Sequence, residues 1–267
     1  MIDTRNGLNT MNRRRSYLTS ILALSFMAGA GASQAQNVDL PASVQALETR
    51  GITVVQEFDA GGSLRGFAGV AGDNPIAIYV LADGTAIVGT RVNEKAEPLD
   101  DETLQNLVAK PMAEQAWAQL ESATWVLDGK ADAPRVVYTF SDPNCPYCNR
   151  FWDASRPWVD AGKVQLRHLL VGVIRDDSPA KAASILTAND RSAALQENER
   201  NFDQGGIAPA KEVSADVREI LGANQVLMMS LGFRGTPGIV FLGENGGLEK
   251  VSGMPQGDAL SRVLGPR

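Results

Sequence analysis

Cysteine and histidine are nearly absent from this 267-residue chain, which holds two cysteines, Cys145 and Cys148, and one histidine, His168. Zinc takes four ligands, and beyond the two thiols only His168 is on offer, which argues against a zinc site. With no third cysteine, no structural disulfide can staple the fold to itself elsewhere. An inert Cys145–Cys148 bridge would close too short a loop to remove much unfolded-state entropy. Stability must therefore come from packed cores, and about 230 residues beyond the N-terminal segment suffice for two of them. The scarcity also keeps bystander thiols away from exchange chemistry.

Positive charge is in deficit too, 25 basic against 31 acidic residues. Long apolar runs are missing outside the first 35 residues. There a basic stretch at Arg13-Arg14-Arg15 precedes an apolar stretch rich in Ala and Gly and a small-residue site, Ser33-Gln34-Ala35. That order reads as a secretory signal peptide over residues 1–35, too short and too small-residue-rich for a membrane span. Arg14-Arg15-Ser16-Tyr17-Leu18 resembles a twin-arginine signal, which leaves the export route, Sec or twin-arginine, open. The mature chain then starts near Gln36, in a bacterial periplasm if the cell is Gram-negative. It keeps 21 basic and 30 acidic residues, a net charge of −9, so nucleic acid is not an expected partner.

Residues 36–100 predict a short helix, Ala42–Arg50, and β runs at Ile52–Phe58, Leu64–Val70, Ile76–Leu81 and Thr85–Val92, with Asp83-Gly84 as a hairpin turn. An α+β module of about 65 residues without a disulfide buries too little surface to stand alone, and homodimerisation is the expected remedy. Residues 101–123 carry apolar positions Leu104, Leu107, Val108, Met112, Ala116 and Leu120 at helical spacing, interrupted by Pro111. They predict a kinked linker helix.

Residues 124–267 alternate: strand 135–140, helix 146–161, strand 164–171, a helical region 178–231, strands 238–242 and 248–252, and helix 256–264. A central sheet with the Cys145-Pro146-Tyr147-Cys148 motif at its first strand-to-helix turn is the thioredoxin arrangement, here with a helical insertion. Cys145 falls at a helix N-terminus, where unpaired N–H groups and the helix dipole favour thiolate over thiol. Pro146 suits the first turn, which needs no N–H. Cys148, one turn on, is placed to attack a mixed disulfide at Cys145. The expected roles are attacking Cys145 and resolving Cys148, with no cofactor beyond a redox-active Cys145–Cys148 disulfide.

Arg234-Gly235-Thr236-Pro237-Gly238 leads into the apolar strand Ile239–Leu242. In a thioredoxin fold a cis-proline faces the redox motif, and Pro237 has the order and context for it. The Thr236 backbone can then pair with a substrate segment as an added strand. Pro146, Tyr147, Thr236 and Pro237 are accordingly the expected substrate-binding residues.

These pieces resemble the periplasmic thiol:disulfide interchange proteins of the DsbC/DsbG family, on its DsbG side. The resemblance spans the mature chain and rests on Phe140–Cys148 with Phe151-Trp152, on Val171–Ile174 with Ser178–Ala183, and on Gly235–Gly238. The Pro146-Tyr147 dipeptide is similar to DsbG, whereas DsbC typically carries Gly-Tyr and a second cysteine pair. The resemblance implies an α+β chain: a small cystatin-like N-terminal dimerisation domain, a linker helix and a thioredoxin-like catalytic domain. It also implies a V-shaped homodimer whose two redox sites face an apolar cleft, kept reduced by a membrane carrier of the DsbD type. The implied activity is disulfide isomerase and reductase on misoxidised periplasmic proteins, with reduction of sulfenylated cysteines open to the same thiols. A thiol oxidase and a redox-independent holdase chaperone are the alternatives.

Thioredoxin has a buried carboxylate six residues before its first cysteine, and that offset lands on Thr139, so another acceptor, such as water, must serve Cys148. Asp142 reads as a loop or capping residue rather than a catalytic one. His168 shares its strand facing with Leu166 and Leu170 and reads as a packed histidine. Phe151 and Trp152 are expected in the core, and Tyr147 exposed.

Overall fold

The computed structural model describes residues 40–243 and 246–266. The expected signal peptide lies outside the described residues. Among those described, no helix is long and apolar enough to cross a membrane.

Helix α1 (Ala42–Glu48) is followed by strands β1 (Ile52–Asp59), β2 (Arg65–Ala71), β3 (Asn74–Val80) and β4 (Ala86–Val88), an antiparallel sheet in sequence order. Alternation along the strands puts Phe67, Ile78 and Val80 on one face, where they bury Val44 of α1. Strand β4 is shorter than the run Thr85–Val92 predicts. The cause is Arg91, whose guanidinium pairs with Asp100 (Nη2–Oδ1 2.9 Å, Nε–Oδ2 3.0 Å) and draws the chain off the sheet. Tyr79 donates to the same carboxylate at 2.8 Å.

The linker is helical from Asp101 to Ser122, but in three pieces: α2 (Asp101–Leu104), a π turn (Gln105–Ala109) and α3 (Lys110–Ser122). The expected disturbance at Pro111 takes this form. Proline has no N–H to offer the carbonyl four residues back, at Leu107, and the widened turn falls on that position.

The second sheet runs in the order β5-β7-β6-β8-β9, from β5 (Val126–Asp128), β6 (Arg135–Ser141), β7 (Val164–Leu170), β8 (Gly238–Leu242) and β9 (Leu248–Ser252). Only β6 and β7 are parallel, joined across helix α4 (Pro146–Val159). Strand β5, three residues long, is too short to leave a periodic signature. Central strand β6 is buried on both faces. Tyr138 and Phe140 pack with Leu120, Leu169, Phe233 and Val240, while Val137 packs with Phe151, Trp158, Leu166, Ile239 and Phe241. The helical region predicted for 178–231 is three helices, α5 (Ser178–Leu186), α6 (Arg191–Arg200) and α7 (Ala215–Ser230). A 3-10 turn, Phe202–Gln204, follows α6, and Gly205 and Gly206, at φ 98° and 69°, end it in the left-handed region that glycine adopts without strain. Helix α8 (Asp258–Leu264) closes the chain, with Val263 and Leu264 in the core.

One buried ion pair ties α4 to the sheet. Asp128 of β5 has no exposed surface and is held by both Arg156 guanidinium nitrogens, Nη1 at 3.1 Å from Oδ1 and Nη2 against Oδ2. Burial raises the Asp128 pKa, but His168 and Arg156 outweigh it and hold it down to about 2. Removing one partner of such a pair strands the other charge. Arg156→Met is therefore expected to cost about 3–5 kcal/mol in urea unfolding, and Asp128→Leu on top of it to recover part of the loss. A loss below about 1 kcal/mol would show that water or another donor reaches Asp128.

Candidate active site

Strand β6 ends at Ser141, and the chain turns through Asp142, Pro143 and Asn144 into α4. Cys145 is the N-cap, in extended conformation (φ −84°, ψ 114°), and Pro146 opens the helix. The Asn149 N–H closes the first turn on the Cys145 carbonyl at 3.1 Å. Cys145 and Cys148 are unbonded and both buried. On the neighbouring strand Gly238 pairs with Phe140, so the segment before β8 meets the end of β6 from which the redox loop leaves. The Thr236–Pro237 peptide is cis. The Thr236 carbonyl accepts from the Cys145 thiol at 3.4 Å. A Cβ on Gly238 would lie 2.7 Å from the Phe233 ring, so only glycine lets this segment sit so close.

The two thiols are separated electrostatically. Cys145 is lowered to about 6: the Cys148 thiol is the largest cause, burial opposes it, and Thr236 and the N–H groups of Cys148 and Tyr147 add to the lowering. Thr236 Oγ1 is buried and has no hydrogen-bond partner among the described residues. Cys148 is raised well above an ordinary thiol, first by burial and then by Cys145 itself. Such a pair offers one nucleophilic sulfur at neutral pH and a second that stays protonated until its neighbour is consumed.

Six residues were named from the sequence, and the structure brings Cys145, Cys148, Thr236 and Pro237 together. Pro146 and Tyr147 are on the outer side of the same turn, Tyr147 54% exposed with the Arg150 guanidinium 5.3 Å from its ring centre. Phe151 and Trp152 are core residues, as expected. His168 stays away from the sulfurs. Its Nδ1 is 3.1 Å from Ser141 Oγ, and its Nε2 stands 3.7 Å from Asp128 Oδ2, too far for a hydrogen bond. Thr139, where thioredoxin has its carboxylate, is buried, 3.4 Å from Ser141 Oγ.

Asp142 holds the loop by hydrogen bonds, as its reading as a loop or capping residue expects, and only the distant partners escape sequence reasoning. Asp142 is 1% exposed. Its Oδ1 accepts from the Asn144 N–H (2.9 Å) and Ser178 Oγ (2.7 Å), and its Oδ2 from the N–H groups of Val173 (2.7 Å) and Ile174 (3.0 Å). Asn198 donates to the Pro143 carbonyl at 3.1 Å. Asn149 donates to Glu199, a buried acid whose pKa burial raises, at 2.8 Å. Only the stretch Ser178–Ala183, already part of the motif pattern, signalled that α5 bears on the site. Nothing in the local pattern marks Asn198 or Glu199.

A family model of a thioredoxin-like domain matches residues 128–265. The chain is 41% identical to the thiol:disulfide interchange protein DsbG of Pseudomonas aeruginosa over 258 residues, 96% of this chain and all of that one. It is also 41% identical to DsbG of Escherichia coli, over 85% of this chain and 92% of the relative. A solved structure of Helicobacter pylori DsbG aligns at 19% identity over 74% of this chain and 98% of its own, with a TM-score of 0.39. With two relatives at this identity along most of its length, the chain belongs to the DsbC/DsbG family of thiol:disulfide interchange proteins and is a thiol–disulfide oxidoreductase/isomerase.

Proposed function

We propose that the protein acts in the periplasm as a disulfide isomerase and reductase, with Cys145 as nucleophile and Cys148 as resolving thiol. The observation that carries this reading is the 41% identity to two DsbG thiol:disulfide interchange proteins, set beside a geometry that puts Cys145 at the head of α4 against the Thr236 carbonyl. The Cys145 thiolate attacks one sulfur of a wrong disulfide; a mixed disulfide forms and the other substrate sulfur leaves as thiolate. Return of a substrate thiolate onto the mixed disulfide frees Cys145 and completes isomerisation. Alternatively Cys148 gives up its proton and attacks Cys145 sulfur, which releases reduced substrate and leaves the Cys145–Cys148 disulfide. The same thiolate can displace oxygen from a cysteine sulfenic acid, which departs as water with one proton taken up, and Cys148 again resolves the adduct. No cofactor enters beyond the cysteine pair, and a membrane reductant of the DsbD type restores both thiols.

In this scheme the Thr236 backbone pairs with an extended substrate segment, while Pro146, Tyr147 and Pro237 flank the sulfur. Residues 1–35 serve as the export leader, and residues 36–100 join two copies. The support for the second role is the edge strand β4, which leaves Ile87 and Val88 about half exposed. A full-length variant with charges on that edge, Ile87→Lys with Val88→Glu, is expected to sediment as a monomer, and a dimer surviving the change would remove the role from this edge of residues 36–100.

The thiolate also favours a second reading. A stabilised Cys145 thiolate makes the disulfide form a better oxidant, so a thiol oxidase is the competing activity. Acid quenching of cells followed by mass-tag alkylation separates the two: a mostly reduced pair fits the isomerase and reductase, and a mostly oxidised one the oxidase.

The thiol asymmetry is directly measurable. Iodoacetamide labelling of Cys145 is expected to be half-maximal at about pH 6, with Cys148 silent, and Cys148→Ala should move that midpoint upward because it removes the largest cause. Since the folded value lies below the unfolded one, the reduced protein gains stability as pH rises from about 6 to the ordinary thiol range near 8.5 and loses it as pH falls through 6. Labelling of Cys148 first would reverse the assigned roles.

A further inference from the structure

The inner face of helix α5 buries Ala182, Ala183, Ile185 and Leu186, and among them a single charged side chain, Lys181, 6% exposed. Burying an ammonium is costly unless its donors are met, and an apolar residue would fill the same space at no such cost. All the contacts of Lys181 Nζ are specific. It donates to Asn144 Oδ1 at 2.7 Å and to the Gly205 carbonyl at 2.7 Å, and stands 3.5 Å from Asp177 Oδ2. The Asn144 amide donates in turn to Asp177 Oδ1 and to Ser178 Oγ, both at 2.9 Å. Lysine, asparagine and aspartate thus close a ring whose one member on the redox loop is the residue directly before Cys145. Since Lys181 offers only donors, it also fixes which way the Asn144 amide faces.

We infer that Lys181 is a positioning residue for the thiol chemistry, acting on Cys145 through Asn144. It touches neither sulfur. What it fixes is the residue from which Cys145 takes its place at the head of α4, and hence the aim of the Tyr147 and Cys148 N–H groups at Cys145 Sγ. This inference rests on Cys145 being the nucleophile.

The test is a thiolate titration of the reduced full-length protein, by absorbance near 240 nm and by alkylation rate against pH. It compares wild type, Lys181→Met, Asn144→Ala and the double variant, with thermal melts run alongside. Lys181→Met is expected to move the Cys145 midpoint up by about half to one unit, roughly a two- to five-fold loss of thiolate at pH 6 and less than about two-fold at pH 7, and to shift equilibrium with glutathione toward the disulfide. Asn144→Ala should give a similar upward shift, and the double variant no more than the larger single one. A folded Lys181→Met protein with an unmoved midpoint overturns the inference, as do single shifts that simply add. If Lys181→Met does not fold, Asn144→Ala decides alone, because Lys181 keeps Gly205 and Asp177 there: a raised midpoint supports the inference and an unchanged one overturns it. Failure of the underlying reading is distinguishable, since it shows in the wild type as no Cys145 titration near neutrality and takes this inference with it.

Discussion

A carboxylate shut away from water must be met by donors, and Asp142 is met by four, drawn from its own loop, from the segment after β7 and from the start of α5. Those segments are 2, 31, 32 and 36 residues away in sequence. Loss of any one leaves the charge short of a partner, so the three segments hold together or come apart together. Everything chemical in the domain hangs from this knot: it sets where β6 stops, how the chain turns, and where α4 begins. Asn144, Pro143 and Asn149 are then secured by Lys181, Asn198 and Glu199 of the helical insertion. The insertion is therefore part of the scaffold of the redox turn.

The sheet supplies the other half of the site. Phe140 opposite Gly238 places the head of β8 beside the tail of β6, and the Thr236 carbonyl meets the Cys145 thiol as a consequence of that register. A slip of one residue would invert the facing of every side chain in β8, and Ile239 and Val240 would exchange the two faces of the core that each now fills. Packing of Phe233 against Phe140 and under Gly238 fixes the approach from the other side. The two sulfurs are almost equally hidden from solvent, at 3% and 4% exposure, but Cys145 at the helix head is lowered by the Cys148 thiol and by backbone N–H groups, while burial and Cys145 itself raise Cys148. One geometry thus lowers one thiol and raises the other.

How much of this was legible follows from how far each contact reaches along the chain. Strand, turn and helix around Cys145 are local, and so is Pro237 before an apolar strand; both read directly from residue order. The placement of Phe151, Trp152 and Tyr147 follows from helical periodicity and was equally plain. Strand β5 was not, because three residues carry no period, and with it went Asp128, whose partner Arg156 is 28 residues away. Glu199 reaches Asn149 across 50 residues and sits in a helix whose sequence, Gln196-Glu197-Asn198-Glu199-Arg200, looks like a solvated surface. The end of β4 was misjudged because Arg91 prefers a carboxylate off the sheet to a place in the ladder, a tertiary choice that propensity does not carry.

The reactive sulfur is recessed while its neighbour is not: Cys145 is 3% exposed and Tyr147, two residues on, 54%. A partner cannot reach such a thiol with a sulfur lying flush on a rigid surface. It has to bring the sulfur on a strand that is extended, locally unfolded or not yet folded. The shape of the turn therefore sorts partners by how loosely the target cysteine is held in them. Under the proposed isomerase function, a correctly packed disulfide would be passed over for a mechanical reason, and a misplaced one, lodged in a chain that has not settled, would be accepted for the same reason.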